Sequence, residues 1–295
     1  MLCRCCFFLC AAITGAGFCL CCSAESTTFF SGPKPRNFAH RGGRFVVPEN
    51  TVHGFRRSLE IGTDILETDV YLTKDGHVVV LHDRTVDRTT NGSGNVKEMT
   101  LAELKQLDAA YRFSPDRGKT FPDRGKAITI PTVDEVFREF PNTPINIEIK
   151  DADPLIVKPL ADLIRKYSRE KLTVVVSSHE SALKRFRELS PETYTGFTPS
   201  EASRLVFLTP EDEKTYQAPA VAIQVPMKAR DIEVVTPETV ALAHRLGLEV
   251  HVFTINNEET MRRLVRMGVD GIMTDRPDLL KEVIRLEAEA KQEGN

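Results

Sequence analysis

The chain has 295 residues, of which 41% are hydrophobic, so it can bury one large core and fits a barrel of roughly 250 residues with additional segments. Its formal net charge is -3, which does not favour nucleic acid, and we expect no nucleic-acid partner. All seven cysteines precede Glu25, which excludes a disulfide framework in the remainder of the chain.

The first 24 residues form an apolar segment ahead of the predicted domain. No residue from Cys5 to Cys22 is charged, and the run ends at Cys22-Ser23-Ala24, a small-x-small pattern. This pattern predicts a secretory signal peptide that is cleaved near Ala24. A membrane anchor is the alternative, because the run is only slightly shorter than the roughly 20 apolar residues of a spanning helix and its cysteines can be acylated. A buried N-terminal helix is the third interpretation, although the run has no polar face. We therefore expect the protein to be exported, to a periplasm or the extracellular space, or to be anchored to a membrane.

The rest of the chain alternates between strand-like and helix-like segments. Residues 25–36 are rich in Thr, Ser, Gly and Pro and are predicted to form a linker. From residue 37 to about residue 290, short β-rich runs alternate with amphipathic helices, which predicts βαβ units and a parallel sheet. The predicted strands are 37–40, 64–71, 78–82, 145–150, 172–177, 194–197, 220–225, 249–255 and 271–274. The clearest predicted helices are 52–60, 101–107, 133–140, 237–246 and 258–267, and two of them start with capping boxes, Thr100 with Glu103 and Thr132 with Glu135.

The sequence predicts nine strands, one more than the eight strands of a (β/α)₈ barrel. Residues 73–77 resemble a turn, so the strands at 64–71 and 78–82 are interpreted as one bent pair, which leaves eight barrel positions. Residues 84–130 interrupt the alternation and are predicted to be an insertion over one end of the barrel. We therefore expect an α/β fold, a (β/α)₈ TIM barrel with an insertion after the second strand. A doubly wound open sheet is the alternative, but the sequence contains neither a G-x-G-x-x-G motif nor a P-loop.

The first predicted strand ends in polar residues. Apolar sequence stops at His40 and Arg41, which are followed by Gly42 and Gly43. A barrel places its active groups at the carboxyl ends of its strands. The glycines allow a sharp turn beside a ligand, and Arg41 can present a planar guanidinium group to phosphate oxygens.

Acidic side chains follow the alternation of two other strands. Glu67 and Asp69 are two residues apart, so they project from one face of their strand. Glu148 and Lys150 alternate with isoleucines in the same way. Carboxylates that converge at the barrel mouth would repel each other unless a divalent cation neutralised them. Glu67, Asp69 and Glu148 are therefore predicted to bind one cation, and their hard oxygen ligands favour Mg²⁺ or Ca²⁺.

His82 ends another predicted strand and supplies a second titratable group beside His40. Hydrolysis of a phosphodiester needs activation of a nucleophile and protonation of the leaving alkoxide, roles that suit two histidines. Either water or a substrate hydroxyl can attack first, and either histidine can act as the base. Arg41 and Lys150 would add positive charge beside the phosphate. Each feature alone also fits a structural histidine, a solvated acidic face or a turn, but their joint occurrence at strand ends favours catalysis.

Several ordered motifs resemble those of glycerophosphodiester phosphodiesterases. The resemblance implies a (β/α)₈ barrel and metal-dependent hydrolysis of glycerophosphodiesters to glycerol phosphate and an alcohol. It also implies the acid–base, metal-binding and phosphate-binding residues named above. The motifs are His40-Arg41-Gly42-Gly43, Pro48-Glu49-Asn50-Thr51, Glu67-x-Asp69, His82-Asp83, Glu148-Ile149-Lys150, Val252-Phe253-Thr254-Ile255-Asn256 and the segment from Gly268 to Pro277.

One position departs from the family pattern. Many members have tryptophan where Phe253 lies, whereas this chain contains no tryptophan. Phenylalanine can still form the wall of a pocket, so Phe253 is predicted to contact the substrate.

Two alternative functions remain at this point. Residues 140–150 and 167–173 look most like members with lysophospholipase D activity, which would act on membrane lysolipids. For such an enzyme an apolar channel would lie in the insertion or near the apolar cluster at residues 205–208, although this cluster fits ordinary helix core equally well. A barrel that binds phosphate ligands without turnover is the alternative from another class. The expected partner is a glycerophosphodiester or lysophospholipid, and a membrane surface is a further candidate.

Overall fold

The structure, a computed structural model, describes residues 28–293. The predicted signal peptide or anchor, residues 1–24, lies outside the described residues, as do residues 25–27 of the predicted linker. Within residues 28–293, no helix is both long enough and apolar enough to cross a membrane.

Parallel strands form the centre of the molecule. The strands of the described part are β1 (Arg36–Ala39), β2 (Ile65–Leu72), β3 (Val78–Val80), β4 (Ile145–Ile149), β5 (Thr173–Val176), β6 (Tyr194–Thr195), β7 (Ala222–Pro226), β8 (Lys228–Ala229), β9 (Ile232–Glu233), β10 (Glu249–Phe253) and β11 (Gly271–Thr274). Eight of them lie side by side in the order β6-β5-β4-β2-β1-β11-β10-β7. A parallel bridge between Gly196 and Ala222 joins the two ends of this order. The sheet is therefore a nearly closed barrel, which confirms the predicted (β/α)₈ fold.

Helices lie between the barrel strands and cover their outer faces. They are α1 (Val52–Ile61), α2 (Leu101–Leu104), α3 (Val133–Glu139), α4 (Val157–Lys166), α5 (Glu180–Leu189), α6 (Pro199–Val206), α7 (Pro210–Glu213), α8 (Pro237–Arg245), α9 (Glu258–Met267) and α10 (Pro277–Glu293). The predicted capping boxes are present, with Thr100 at the start of α2 and Thr132 at the start of α3. These caps pair backbone N–H groups that a helix leaves free at its start.

The two faces of a barrel strand have different chemistry. In β4, Ile145, Ile147 and Ile149 pack outward into the apolar layer between barrel and helices. Asn146 and Glu148 instead face the cavity at the mouth of the barrel. This alternation arises because successive side chains of a strand point to opposite faces. It places polar groups inside the barrel without disturbing the outer core.

An apolar cluster lies near the N-terminal end of the barrel interior, close to the buried Arg36, which pairs with Glu249. Phe29 packs with Phe38, Ile65 and Met273 in one buried cluster. Its backbone N–H also donates to the Lys171 carbonyl at 2.7 Å. Phe29 lies in the segment predicted to be a linker, but its side chain is fully buried, so this part of the chain belongs to the barrel.

The predicted bent pair is confirmed: β3, within the predicted strand 78–82, pairs with β2 in an antiparallel hairpin and is not one of the barrel strands.

Other local predictions differ from the structure. His40 lies in a 3₁₀ turn, not at the end of a strand, and the helix predicted at 101–107 ends at Leu104. The β8–β9 hairpin was not predicted, because each of its strands has only two residues.

The predicted insertion, residues 84–130, follows β3 and has its own apolar cluster. Val86, Val96 and Leu104 pack there against Tyr71 of β2. The segment is thereby attached to the carboxyl end of β2, next to the barrel mouth.

Candidate active site

The turn after β1 brings a histidine and a backbone donor to the barrel mouth. Arg41, Gly42 and Gly43 adopt left-handed φ values of 53°, 81° and 86°. A Cβ atom on Gly42 would lie 2.8 Å from the Phe55 ring, so both backbone and packing require glycine there. The resulting bend lets the Arg41 N–H donate to Glu67 Oε2 at 2.7 Å.

The three predicted metal ligands lie together. Asp69 is directly opposite Glu148 in the parallel register of β2 and β4, and Glu67 is on the same face of β2. Carboxylate oxygens of the three side chains lie within 4.8 Å of one another. Glu67 and Asp69 are buried, whereas Glu148 is partly exposed. The structure thus brings together the whole predicted ligand set.

This cluster fits a divalent cation. Burial, together with the nearby charge of Asp69, raises the pKa of Glu67 to about 8. Oδ1 of Asp69 is buried and accepts no hydrogen bond from the described residues, although Lys150 Nζ lies 3.2 Å away. A cation would use this oxygen as a ligand and offset the repulsion. The all-oxygen donor set fits Mg²⁺ or Ca²⁺.

Two cationic side chains border the carboxylates. Lys150 Nζ lies 2.7 Å from Glu148 Oε2. Burial lowers the pKa of Lys150, but the charges of Asp69 and Glu148 outweigh burial and raise it, so Lys150 is an ammonium ion at neutral pH. The Arg41 guanidinium lies 3.6 Å from Asp69 Oδ2 and 3.4 Å from Glu49 Oε1. The predicted phosphate-binding residues are therefore neighbours of the predicted metal ligands.

His40 and His82 each have one ring nitrogen held by a carboxylate. His40 Nδ1 lies 2.6 Å from Asp275 Oδ1, and His82 Nδ1 lies 2.6 Å from Asp83 Oδ1. Such a bond orients the imidazole ring and leaves Nε2 for a substrate.

The pKa values of the two histidines shift in opposite directions. Burial lowers the pKa of His40, but the hydrogen bond to Asp275 and the charge of Glu67 outweigh burial, so the pKa is raised. Burial also lowers the pKa of His82, and the charge of Asp69 does not fully oppose it, so the pKa is lowered. A protonated His40 and a neutral His82 would suit one acid and one base.

A cavity of about 390 Å³ opens beside His40. Glu67 and Glu148 also line it, so the cavity reaches two of the three predicted metal ligands. Phe253 lies on its wall with 36% of its surface exposed, at the end of β10. The predicted substrate-contacting aromatic residue therefore lines the same cavity as Glu67 and Glu148.

The apolar cluster at residues 205–208 lies partly in the outer core and partly at the cavity. Leu205 is fully buried in the outer core, and Leu208 packs against that core. Val206 packs against the same core and also lines the cavity, as does Phe207.

The model of the glycerophosphoryl diester phosphodiesterase family matches residues 40–279. The chain belongs to this family. The match extends from His40 at the barrel mouth to Leu279 in α10. Membership confirms the predicted family and the predicted enzyme class, a phosphoric diester hydrolase.

This chain is similar to individual family members over most of their length. The chain is 36% identical to the glycerophosphodiester phosphodiesterase of Caldanaerobacter subterraneus, with 84% of this chain and 96% of that protein covered. It is 29% identical to a lysophospholipase D of Mus musculus, with 84% of this chain and 86% of that protein covered. Among solved structures, an Oleispira antarctica phosphodiesterase in complex with the product sn-glycerol-3-phosphate has a TM-score of 0.70 and 26% identity, with 85% of this chain and 97% of that chain covered.

Asp275 and Asn50 belong to the site of this chain, but no role was predicted for them. Asp275 follows β11 directly, and its carboxylate also contacts Asn256 Nδ2 at 2.8 Å and Arg44 Nε at 2.9 Å. Asn50 donates from Nδ2 to Asp69 Oδ2 at 3.1 Å. Both lie inside the motifs that carry the resemblance, and Asp275 has the strand-end position used to identify the other site residues.

Proposed function

We propose that this chain hydrolyses glycerophosphodiesters to glycerol phosphate and an alcohol, with one divalent cation, Mg²⁺ or Ca²⁺. The observation that carries this proposal is the convergence of three carboxylates, Lys150 and His40 at the barrel mouth. The Caldanaerobacter relative is named for this substrate class, and the Oleispira phosphodiesterase binds sn-glycerol-3-phosphate as its product. Both names support the proposed substrate and product.

Glu67, Asp69 and Glu148 would bind the cation. A bound divalent ion polarises a phosphoryl oxygen as a Lewis acid. The chain holds two of these ligands in place before any ion binds, because the Arg41 N–H donates to Glu67 and the Asn50 amide donates to Asp69.

His40 and His82 would form the acid–base pair. One histidine accepts the proton of an attacking water or substrate hydroxyl, and the other donates a proton to the leaving oxygen. Their pKa shifts favour His82 as the base and His40 as the acid. Asp275 and Asp83 hold the Nδ1 atoms, so each Nε2 is available for the transfer.

Arg41 and Lys150 would bind the phosphate. The guanidinium group of Arg41 can donate two parallel hydrogen bonds to phosphate oxygens, whereas Lys150 supplies a compact positive charge. Both stand beside Asp69, so they would balance phosphate charge close to the proposed cation. Phe253 would form an apolar wall of the substrate site.

Choline release from glycerophosphocholine tests the proposed reaction. The full chain should release choline with Mg²⁺ or Ca²⁺, lose activity in EDTA, and regain it when the cation is restored. His40→Ala and His82→Ala should each lower kcat by about 10² to 10⁴, because each removes one proton transfer.

His77→Ala is a matched control, because His77 lies between β2 and β3 with 51% of its side chain exposed. This variant should keep wild-type activity. Full activity in EDTA would contradict the role of the cation. His40 and His82 variants as active as the His77 variant would contradict the acid–base assignment.

A further inference from the structure

The insertion brings one arginine, Arg88, to residues beside the barrel mouth. Arg88 lies in the loop after β3, between Val86 and Thr90, which are both fully buried. The Thr90 N–H and Oγ1 both donate to the Val86 carbonyl, at 3.1 and 2.8 Å. Val86 also packs in the apolar cluster of the insertion. The insertion therefore fixes the backbone on both sides of Arg88.

The guanidinium group of Arg88 joins two carboxylates from different parts of the chain. Its Nη1 and Nη2 donate to the two carboxylate oxygens of Glu49, each at 2.7 Å. Its Nε donates to Asp83 Oδ2 at 2.6 Å. Glu49 belongs to the segment between β1 and α1, whereas Asp83 follows β3. The two bonds to Glu49 have the bidentate arrangement that a planar guanidinium group forms with a carboxylate.

Asp83 connects Arg88 to His82. One oxygen of the Asp83 carboxylate accepts from Arg88, and the other lies 2.6 Å from His82 Nδ1. Two bonds on opposite oxygens fix the plane of a carboxylate, so Arg88 determines the direction in which Asp83 meets the imidazole ring. His82 has 27% of its side chain exposed, so packing alone leaves the ring some freedom.

Glu49 connects Arg88 to Arg41. Glu49 Oε1 lies 3.4 Å from Arg41 Nη1, a longer distance than either of its bonds to Arg88. Arg88 therefore binds the Glu49 carboxylate more closely than Arg41 does. Without Arg88, this carboxylate would turn to Arg41 and compete with phosphate for its donors.

Arg88 also keeps both carboxylates ionised. Burial raises the pKa of Glu49 and that of Asp83, but the hydrogen bonds to Arg88 and its charge outweigh burial, so both pKa values are lowered. An ionised Asp83 accepts the proton of His82 Nδ1 and leaves Nε2 as the basic nitrogen of the ring.

We propose that Arg88 is a positioning residue, which orients His82 through Asp83 and keeps Glu49 from pairing with Arg41. This inference rests on the proposed hydrolysis, in which His82 transfers a proton and Arg41 binds phosphate. Within residues 28–293, the hydrogen bonds of the Arg88 side chain are those to Glu49 and Asp83. Arg88 would therefore act on the reaction through these two carboxylates.

A double-mutant cycle tests the connection through Asp83. With glycerophosphocholine and Mg²⁺ or Ca²⁺, Arg88→Gln should lower kcat for choline release by about 10- to 100-fold, because His82 loses its fixed orientation. Asp83→Asn should lower kcat by a similar factor. In the Asp83→Asn background, Arg88→Gln should lower kcat by less than about threefold, since the carboxylate that transmits its effect is already gone.

Inhibition by sn-glycerol-3-phosphate tests the connection through Glu49. Its inhibition constant should be about three- to tenfold higher for Arg88→Gln than for the wild type, because Glu49 then competes for Arg41. In the Glu49→Gln background, Arg88→Gln should change the inhibition constant by less than about twofold, since the competing charge is absent.

Two further variants separate orientation from charge. Arg88→Lys keeps the positive charge but loses the planar group, so its kcat should stay at least about fivefold below that of the wild type. Arg117→Gln is the matched control, because Arg117 is an exposed arginine of the same insertion. Its kcat and inhibition constant should equal those of the wild type. Arg88 is 43% exposed, so its replacement leaves the barrel core intact, and unfolding midpoints check this.

Three outcomes would overturn the inference. Wild-type kcat in Arg88→Gln or Arg88→Lys, with glycerophosphocholine hydrolysed, would remove the positioning role and leave the proposed hydrolysis intact. Effects on kcat of Arg88→Gln and Asp83→Asn that multiply in the double variant would show that Arg88 does not act through Asp83. No turnover by the wild type would overturn the proposed function, and this inference with it.

Discussion

Asp275 determines which nitrogen of His40 can face the substrate. Its carboxylate is fully buried and lies 2.6 Å from His40 Nδ1. Asn256 and Arg44 hold the same carboxylate, so its position is fixed from two further sides. Burial raises the pKa of Asp275, but the bond to His40 and the charges around it outweigh burial and lower it. In the proposed mechanism Asp275 is therefore a positioning residue, which would act on the reaction through His40.

Replacement of Asp275 by Asn should lower kcat by about 10² to 10⁴. The variant loses the hydrogen bond that raises the pKa of His40, so His40 loses its proton at a lower pH. If His40 is the acid, the high-pH limb of the kcat profile should move to lower pH. The measurement is the pH dependence of kcat for choline release, with the unfolding midpoint as a check on folding.

Asp278→Asn is the control for this variant, because Asp278 pairs with Arg276 in the same region and does not contact His40. Its profile should match that of the wild type. A lower kcat for Asp275→Asn with an unshifted profile would mean that Asp275 acts on structure alone.

The sequence predicted the titratable groups of the site better than the residues that orient them. Glu67, Asp69 and Glu148 could be found because strand alternation alone places them on the inner face of the barrel. Asn50 could not, because its contact with Asp69 depends on a left-handed turn with φ of 55° and on the packing of that turn against β2.

Among the elements, the turn after β1 depends most strongly on one residue. Gly42 has a φ of 81°, and the space beside its Cα is filled by the Phe55 ring. Phe55 is fully buried in α1, so the ring has little freedom to move away. The turn thereby connects helix packing to the position of the Arg41 N–H that holds Glu67.

Gly42→Ala should lower the free energy of unfolding by about 2 to 5 kcal/mol. About 1 to 2 kcal/mol comes from the left-handed backbone, and about 1 to 3 kcal/mol comes from overpacking against Phe55. Gly247→Ala isolates the backbone contribution, because Gly247 has a φ of 71° and no atom within 4 Å of an added Cβ. Urea denaturation of both variants measures the difference. Equal losses would show that the Phe55 contact contributes nothing.

Helices and strands were predictable where a few neighbouring residues determine them. Capping boxes at Thr100 and Thr132 set two helix starts from a few neighbouring residues. The end of α2 at Leu104 was not predictable, because the chain there turns to pack against the insertion's apolar cluster. The β8–β9 hairpin forms part of the cavity wall, yet its two-residue strands are too short to show an alternating pattern.

At the scale of the whole molecule, the two ends of the barrel interior differ in how their charges are balanced. Near the N-terminal end, buried Arg36 pairs with Glu249, whereas the carboxylates of Glu67, Asp69 and Glu148 converge at the other end. The acidic cluster costs stability when no cation is bound, because its carboxylates repel each other. Stability and metal binding should therefore be coupled.

The raised pKa of Glu67 determines whether the metal-free protein gains or loses stability as pH rises. Its pKa rises from an ordinary 4.5 to about 8 on folding, so between these pH values the folded protein holds a proton that the unfolded chain releases. The free energy of unfolding of the metal-free protein should then fall as pH rises through this window. Glu67→Gln resembles the protonated side chain, so its stability should depend less on pH. An unchanged slope in this variant would exclude Glu67 as the cause.

A bound divalent cation should restore the stability that the metal-free protein loses through repulsion between its carboxylates. At about 100 times its dissociation constant, a ligand that binds only the folded state adds about 2.7 kcal/mol, which in a domain of this size corresponds to an increase in Tm of about 5 to 10 °C. We expect this increase for the wild type with Mg²⁺ or Ca²⁺ at pH 7.5, measured by thermal unfolding against an EDTA reference. Glu67→Gln should lose most of the increase while its metal-free Tm stays at or above that of the wild type, because it removes a ligand and a repulsive charge together. A full increase in Tm for Glu67→Gln would show that the cation binds elsewhere, since the acidic cluster would then have lost a ligand without consequence.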